Sequence, residues 1–191
     1  MYDHVRKVLS RRERHRIAEP GLTPAAVLVP LFARAGEPHV LLEQRTHTVD
    51  HHKGQISFPG GVQDPGDRDE VATALREASE EVGLPPTAVE VLGLMDDTLT
   101  VTGFRITPVV GRIPHPFEAR LSDGEVARLL EIPWRVFAEG RTHRQERIEH
   151  EGQSFEVDFY TWDEHIIWGA TARVIRQLVA LTREPVEEEG A

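Results

Sequence analysis

The chain contains no cysteine, which excludes disulfide staples, thiol nucleophiles and cysteine-ligated zinc. It also lacks any apolar run of the roughly 18 residues that a membrane-crossing helix needs. Asp3, Arg6 and Lys7 interrupt its start, so no signal-peptide core is expected there, and a cytoplasmic location follows as the default. Positive charge is in short supply: 22 Lys and Arg stand against 32 Asp and Glu, for a formal net charge of −10. Such a balance argues against nucleic acid or an anionic membrane surface as the main partner. The ten histidines show no His-x-x-Glu-His spacing. At 191 residues the chain suits a single domain spanning 1–191, with a basic N-terminal segment and a short acidic C-terminal tail.

What is present is a concentration of carboxylates. Within the run from Arg76 to Leu84, Glu77, Glu80 and Glu81 fall in one sector of roughly 100° on a helix, while Val71, Leu75, Ala78 and Val82 share another. Like charges at these spacings destabilise a helix by a few tenths of a kcal/mol per pair, and a bound cation is a physical reason to gather them. Alone, the pattern favours a solvated acidic face. Its setting argues otherwise. Phe58-Pro59-Gly60-Gly61 precedes it as a turn whose glycines let backbone approach a ligand. Asp64, Asp67 and Asp69 are N-cap candidates, and Gly83 followed by Pro85-Pro86 ends the helix.

This stretch resembles the Nudix box, Gly-x5-Glu-x7-Arg-Glu-U-x-Glu-Glu-x-Gly-U, where U is a bulky apolar residue. Two departures stand out: Gly61 to Arg76 is one residue longer than the usual spacing, and Asp67 or Asp69 takes the place of the first Glu. Ala78 is also small for a U position. A narrower likeness, to the coenzyme A pyrophosphatases of the same superfamily, is carried by Leu41-Leu42-Glu43-Gln44-Arg45-Thr46, by the segment His52-Lys53-Gly54-Gln55-Ile56-Ser57 leading into Phe58, and by stretches near Pro24 and Trp168.

The remaining pattern alternates strands and helices without linker or repeat. Residues 25–33 and 39–44 read as strands about a Gly36–Pro38 turn; 55–58, 89–95, 98–102 and 104–113 read as further strands. Residues 125–132 fit strand or helix, 144–150 and 154–161 a hairpin across Glu151-Gly152, and 169–182 a closing helix. Residues 6–16 are expected as a solvated surface helix with one narrow apolar edge. Phe58, Phe104, Trp162 and Trp168 are expected in the core. An α/β fold with a mixed sheet between helices follows, compatible with the Nudix-type αβα sandwich that the resemblance implies.

The resemblance also implies chemistry. A small-molecule diphosphate is expected as substrate, with Mg2+, or alternatively Mn2+, held by Glu77, Glu80, Glu81 and the Gly60 carbonyl; the short Glu cluster suits such oxygen-seeking ions. Glu77 is expected both as ligand and as catalytic base, and Glu125 resembles a distal acid of some relatives. Arg45 and Lys53 are the expected substrate-binding cations, ahead of His51, His52 and Arg68, whereas Arg76 is placed to orient a glutamate. The implied reaction cleaves coenzyme A or a derivative to adenosine 3′,5′-bisphosphate and 4′-phosphopantetheine. The alternatives are a Nudix hydrolase of another nucleoside diphosphate derivative and a non-catalytic nucleotide-binding module. Oligomeric state is not legible.

Overall fold

Alternating burial along two long strands organises the molecule, a computed structural model describing residues 1–46, 54–150 and 152–185. Strand β1 (Thr23–Arg34) directs Ala26, Leu28 and Phe32 to one side and Val29 and Leu31 to the other. Strand β2 (Glu37–Arg45) does the same with Leu41 against Val40 and Leu42. Side chains of period two with both faces apolar require cover on both faces. The central helix α2 (Glu70–Val82) covers one, burying Ala74, Ala78 and Val82 with Leu84. Helices α1 (Tyr2–Arg11) and α4 (Gly169–Arg183) cover the other through Val5, Val8, Leu9, Val174, Ile175 and Leu178. The result is the expected αβα sandwich.

Its sheet is mixed. Strands β1 and β7 (Phe104–Arg112) run parallel, from Thr23 opposite Phe104 to Leu31 opposite Arg112. The other pairings are antiparallel: β1 with β2 and with β4 (Gly60–Val62), β2 with β3 (Ile56–Ser57) and β8 (Val126–Pro133), and β7 with β5 (Glu90–Leu94) and β6 (Thr98–Leu99). Residues 126–133 are therefore strand. After the four-residue helix α3 (Arg135–Ala138), β9 (His143–His150), β10 (Gln153–Trp162) and β11 (His165–Trp168) form a separate three-stranded antiparallel sheet. Among the described residues no helix is long and apolar enough to cross a membrane.

Two expectations need correction. The N-terminal helix starts earlier than residue 6, and its apolar edge is fully committed to the core: α1 packs so closely on β5 that a Cβ on Gly93 would stand 2.7 Å from the Leu9 Cβ. The basic run after it is solvated only in part: Arg16 is exposed, whereas Arg12 pairs with Asp96 and Arg14 is tied down. Arg14 bonds Asp97 at 2.9 Å and Glu70 at 3.0 Å, and Asp97 also accepts from the Ile17 N–H at 3.0 Å and the Thr107 hydroxyl at 2.8 Å. Arginine charge is consumed in strapping residues 12–17 across the sheet. The second correction is Trp168, which is 43% exposed and stacked on Phe159 at 6.3 Å instead of buried. Phe58 is buried, and Phe104 and Trp162 are partly so.

Candidate active site

Helix α2 is fixed at both ends by its own sequence. The Asp69 carboxylate accepts from the Ala72 N–H at 2.8 Å, and Gly83, left-handed at φ 73°, closes the C-terminus with bonds to Ser79 and, from Leu84, to Ala78. Burying an aliphatic side chain such as Val82 is worth about 1.5–3 kcal/mol, which outweighs the few tenths lost to each like-charge pair. The buried face differs slightly from the periodicity: Thr73, Ala74, Ala78, Glu81 and Val82 are inside, while Val71 and Leu75 flank them.

The glycine segment is not a free turn. It forms β4, pinned to β1 with Ala26 opposite Gly61 and Val27 opposite Gly60. This pairing slides Gly60-Gly61 beneath α2, and their missing side chains make room. A Cβ on Gly61 would lie 2.4 Å from the Glu77 Oε1, so that carboxylate rests on bare backbone. The Gly60 N–H donates to Glu81 Oε2 at 2.8 Å.

Among the three helical glutamates the surroundings differ. Glu81 is 4% exposed. Burial and the neighbouring Glu43 and Glu77 charges push its carboxyl well above the ordinary range, against the Gly60 bond and Arg45. Glu77 is likewise raised by burial, opposed by Arg76 and reinforced by Glu80 and Asp64. Glu80 is 61% exposed at its side chain and leans outward to Arg76.

Arg76 ties this region together. Its Nε and Nη2 grip Asp67 at 3.1 and 2.9 Å, Nη2 donates to the Val62 carbonyl, and Nη1 reaches Glu77 at 2.9 Å and Glu80 at 3.0 Å. That two-toothed grip holds Asp67 down to about 2. Asp69 caps the helix and Asp67 anchors the arginine, so the two aspartates near the altered box position have distinct physical tasks. The expected orienting contact from Arg76 is present.

Sequence reasoning passed over Glu43. It lies on the α2 side of β2 with Leu41, is 0% exposed, and faces Ser57 Oγ at 3.4 Å. Burial, together with Glu125 and Glu77, raises its carboxyl; Arg45 and Ser57 oppose. The available signal was alternation: a Glu in register with Leu41 on a strand buried on both sides. Arg45 places Nη1 3.4 Å from Glu81 Oε1 and 3.8 Å from Glu43 Oε1. A bulge aims it there, since β8 pairs Gln44 with Arg128 and Arg45 with Val126, leaving Ala127 over. Glu125 is exposed, yet lies within electrostatic reach of Glu43, and its carbonyl accepts from Thr46. Arg68 is turned out to Asp69 at 3.3 Å. Lys53, His51 and His52 lie outside the described residues.

Among the described residues, no three acidic or imidazole groups stand in ligating geometry around a common point. Guanidinium groups stand among these acids: Arg76 holds Glu77 and Glu80, and Arg45 stands between Glu43 and Glu81. The donor set nonetheless suits a hard divalent cation, being all oxygen, largely desolvated and short of positive charge, with Glu43 Oε2 buried and without a hydrogen-bond partner. A groove of about 660 Å3 between α2 and residues 114–120 shares only Glu80 with these acids. Its other acid is Glu118, and none of Glu43, Glu77 and Glu81 lines it.

Comparison with known proteins identifies the family. The NUDIX domain profile matches residues 22–173. An uncharacterized Nudix hydrolase NudL of Escherichia coli K12 is 43% identical over 155 residues, covering 81% of this chain and 80% of the relative. The NudL protein of Photorhabdus laumondii is 40% identical over 154 residues, covering 81% and 82%. In fold, the chain is similar to the M. smegmatis Nudix hydrolase RenU, with TM-score 0.52, 24% identity, and 61% and 74% of the two chains covered. It is also similar to a C. elegans Ap4A hydrolase binary complex, with TM-score 0.50, 21% identity and coverage of 59% and 81%. The chain belongs to the Nudix hydrolase family, enzymes that generally use divalent metal ions to act on nucleoside diphosphate derivatives.

Proposed function

We propose that the chain is a coenzyme A diphosphatase, cleaving the central diphosphate of coenzyme A or a derivative in the cytoplasm to give adenosine 3′,5′-bisphosphate and 4′-phosphopantetheine. The observation that carries the reaction type is the convergence of Glu77 and Glu81 on Gly60-Gly61. The narrower substrate assignment rests on the resemblance carried by Leu41–Thr46 and by the residues leading into Phe58.

Glu77, Glu80, Glu81 and the Gly60 carbonyl would hold Mg2+ or Mn2+. When bound, the ion supplies positive charge that neutralises diphosphate oxygens and lowers the pKa of water. Glu77 takes the proton from the attacking water, a task suited to a carboxylate raised by burial. Asp67 and Arg76 keep Glu77 aimed. Arg45 and Lys53 take phosphate oxygens, offsetting the acidity of the chain. Water oxygen bonds to one phosphorus as the bridging P–O bond breaks, and the departing phosphate leaves with the electron pair.

A side-by-side turnover panel with Mg2+ tests this reading: coenzyme A, a dinucleoside polyphosphate and a nucleotide sugar at equal concentration. Coenzyme A is expected to have the highest kcat/KM. Preference for either other compound would replace the substrate assignment, and nucleotide binding without any product would overturn the catalytic one.

A further inference from the structure

Strand β2 carries a carboxylate that the helical glutamates do not explain. Glu43 follows Leu41 and Leu42 in a fully buried stretch, yet carries an ionisable group with 0% exposure. Its Oε1 faces Ser57 Oγ at 3.4 Å and Arg45 Nη1 at 3.8 Å, and its Oε2 is buried with no hydrogen-bond partner. Opposite, Glu81 Oε1 stands 3.4 Å from the same Arg45 nitrogen.

One guanidinium nitrogen thus serves two buried carboxylates, at distances beyond the roughly 2.7–2.9 Å of a strong charge-assisted bond. The stoichiometry is unbalanced: two carboxyl groups share one guanidinium, and Glu77 and Glu125 add to the negative field at Glu43. Arg45 is itself imperfectly held, its buried Nε having no hydrogen-bond partner. Burying an uncompensated charge costs several kcal/mol, and an apolar residue at such a position is often neutral or stabilising. Two positive charges in a compact ion would balance this pair where one diffuse guanidinium does not.

We propose that Glu43 is a further carboxylate of the divalent-cation site, sharing an ion with Glu81 in exchange for their common contact with Arg45. Arg45 is then both the counter-ion of the metal-free protein and, once released, a cation available to the substrate. The proposal rests on reading the α2 glutamates as the cation site.

The test is a Mn2+ titration of the full chain without substrate, followed by the spectroscopic signal of free Mn2+, with melting curves in chelator and in Mn2+. In Glu43→Gln, which keeps an acceptor for Ser57, the affinity or stoichiometry is expected to fall, with at least a tenfold weaker dissociation constant or one ion fewer. The variant should melt higher than wild type in chelator and gain less from Mn2+. Arg45→Met should bind Mn2+ several-fold more tightly, because a competitor for the carboxylates is gone. Unchanged affinity and stoichiometry in Glu43→Gln overturns the role of Glu43 alone, as does weaker or unchanged binding in Arg45→Met. Wild-type protein that retains no Mn2+ overturns the cation reading of α2 as well.

Discussion

Replacing Gly61 with alanine should inactivate the enzyme while leaving it folded. The added Cβ would lie 2.4 Å from Glu77 Oε1 and 2.6 Å from its Cδ, with no backbone atom among its nearest contacts. An ordinary contact needs about 3.5 Å, so the carboxylate must retreat by roughly 1 Å. Displacement on that scale costs on the order of 100-fold in rate when the displaced group is the base. The cost in stability is small, about 1 kcal/mol or less, because what yields is the end of a flexible, part-exposed side chain. Gly60→Ala is the contrasting control: its Cβ would stand 2.5 Å from the Ala26 carbonyl oxygen and 2.6 Å from the Val27 Cα, backbone that cannot move without parting β4 from β1. Melting curves and initial rates on coenzyme A with Mg2+ separate the two variants. Gly61→Ala is expected to melt within a few degrees of wild type with kcat down about 100-fold, and Gly60→Ala to be unfolded or strongly destabilised. A Gly61→Ala enzyme with wild-type kcat would refute the assignment of Glu77 as the positioned base.

Further consequences concern charge. Burial, with repulsion from neighbouring carboxylates, pushes the coupled Glu43 and Glu81 carboxyls as a pair up to about 7 to about 8 from the ordinary 4.5, so the folded state binds these protons more tightly than the unfolded chain. Their contribution to stability is full below pH ~4.5 and is lost as pH rises through 7 to 8, so chelated protein should melt lower at pH 8.5 than at 5.5 while Mn2+ affinity rises; a flat melting profile would contradict this. Asp67, held at about 2, acts oppositely, its stabilisation fading only as pH falls toward that value. Asp67→Asn should cut turnover about tenfold by freeing Arg76, whereas Asp69→Ala should cost about 1 kcal/mol of stability as a lost cap and leave kcat alone; equal effects on kcat would merge the two roles. Asp97→Ala, which leaves Arg14 only Glu70 and the Thr107 hydroxyl and strips the Ile17 N–H of its acceptor, should lower stability by about 1–3 kcal/mol, read as a drop in Tm.

Legibility in the sequence followed the range of the interactions involved. The caps of α2 are local: an aspartate three residues from the amide it accepts, a glycine at the left-handed position, and two prolines beyond. These were readable without a fold. Gly60-Gly61 read as a turn because glycine has no strand preference of its own, and only pairing with β1, more than thirty residues away in sequence, makes it β4. Residues 125–132 stayed ambiguous for the same reason, the conformation of β8 being decided by β2. At the site, Glu77 and Glu81 were marked by their helical spacing, but Glu43 was marked only by its alternation with Leu41 in β2, a signal that speaks once the strand is known to be buried on both faces. Trp168 was misplaced because size alone assigns tryptophan to a core, whereas β11 turns it outward against Phe159.

The most direct test of the central claim is product analysis after incubating the chain with coenzyme A and Mg2+, with a chelated sample and Glu81→Gln run in parallel. Adenosine 3′,5′-bisphosphate and 4′-phosphopantetheine should appear in equal amounts, only with the metal, and at a rate reduced on the order of 100-fold in Glu81→Gln. Absence of these products from wild type, or wild-type turnover by Glu81→Gln, would contradict the account.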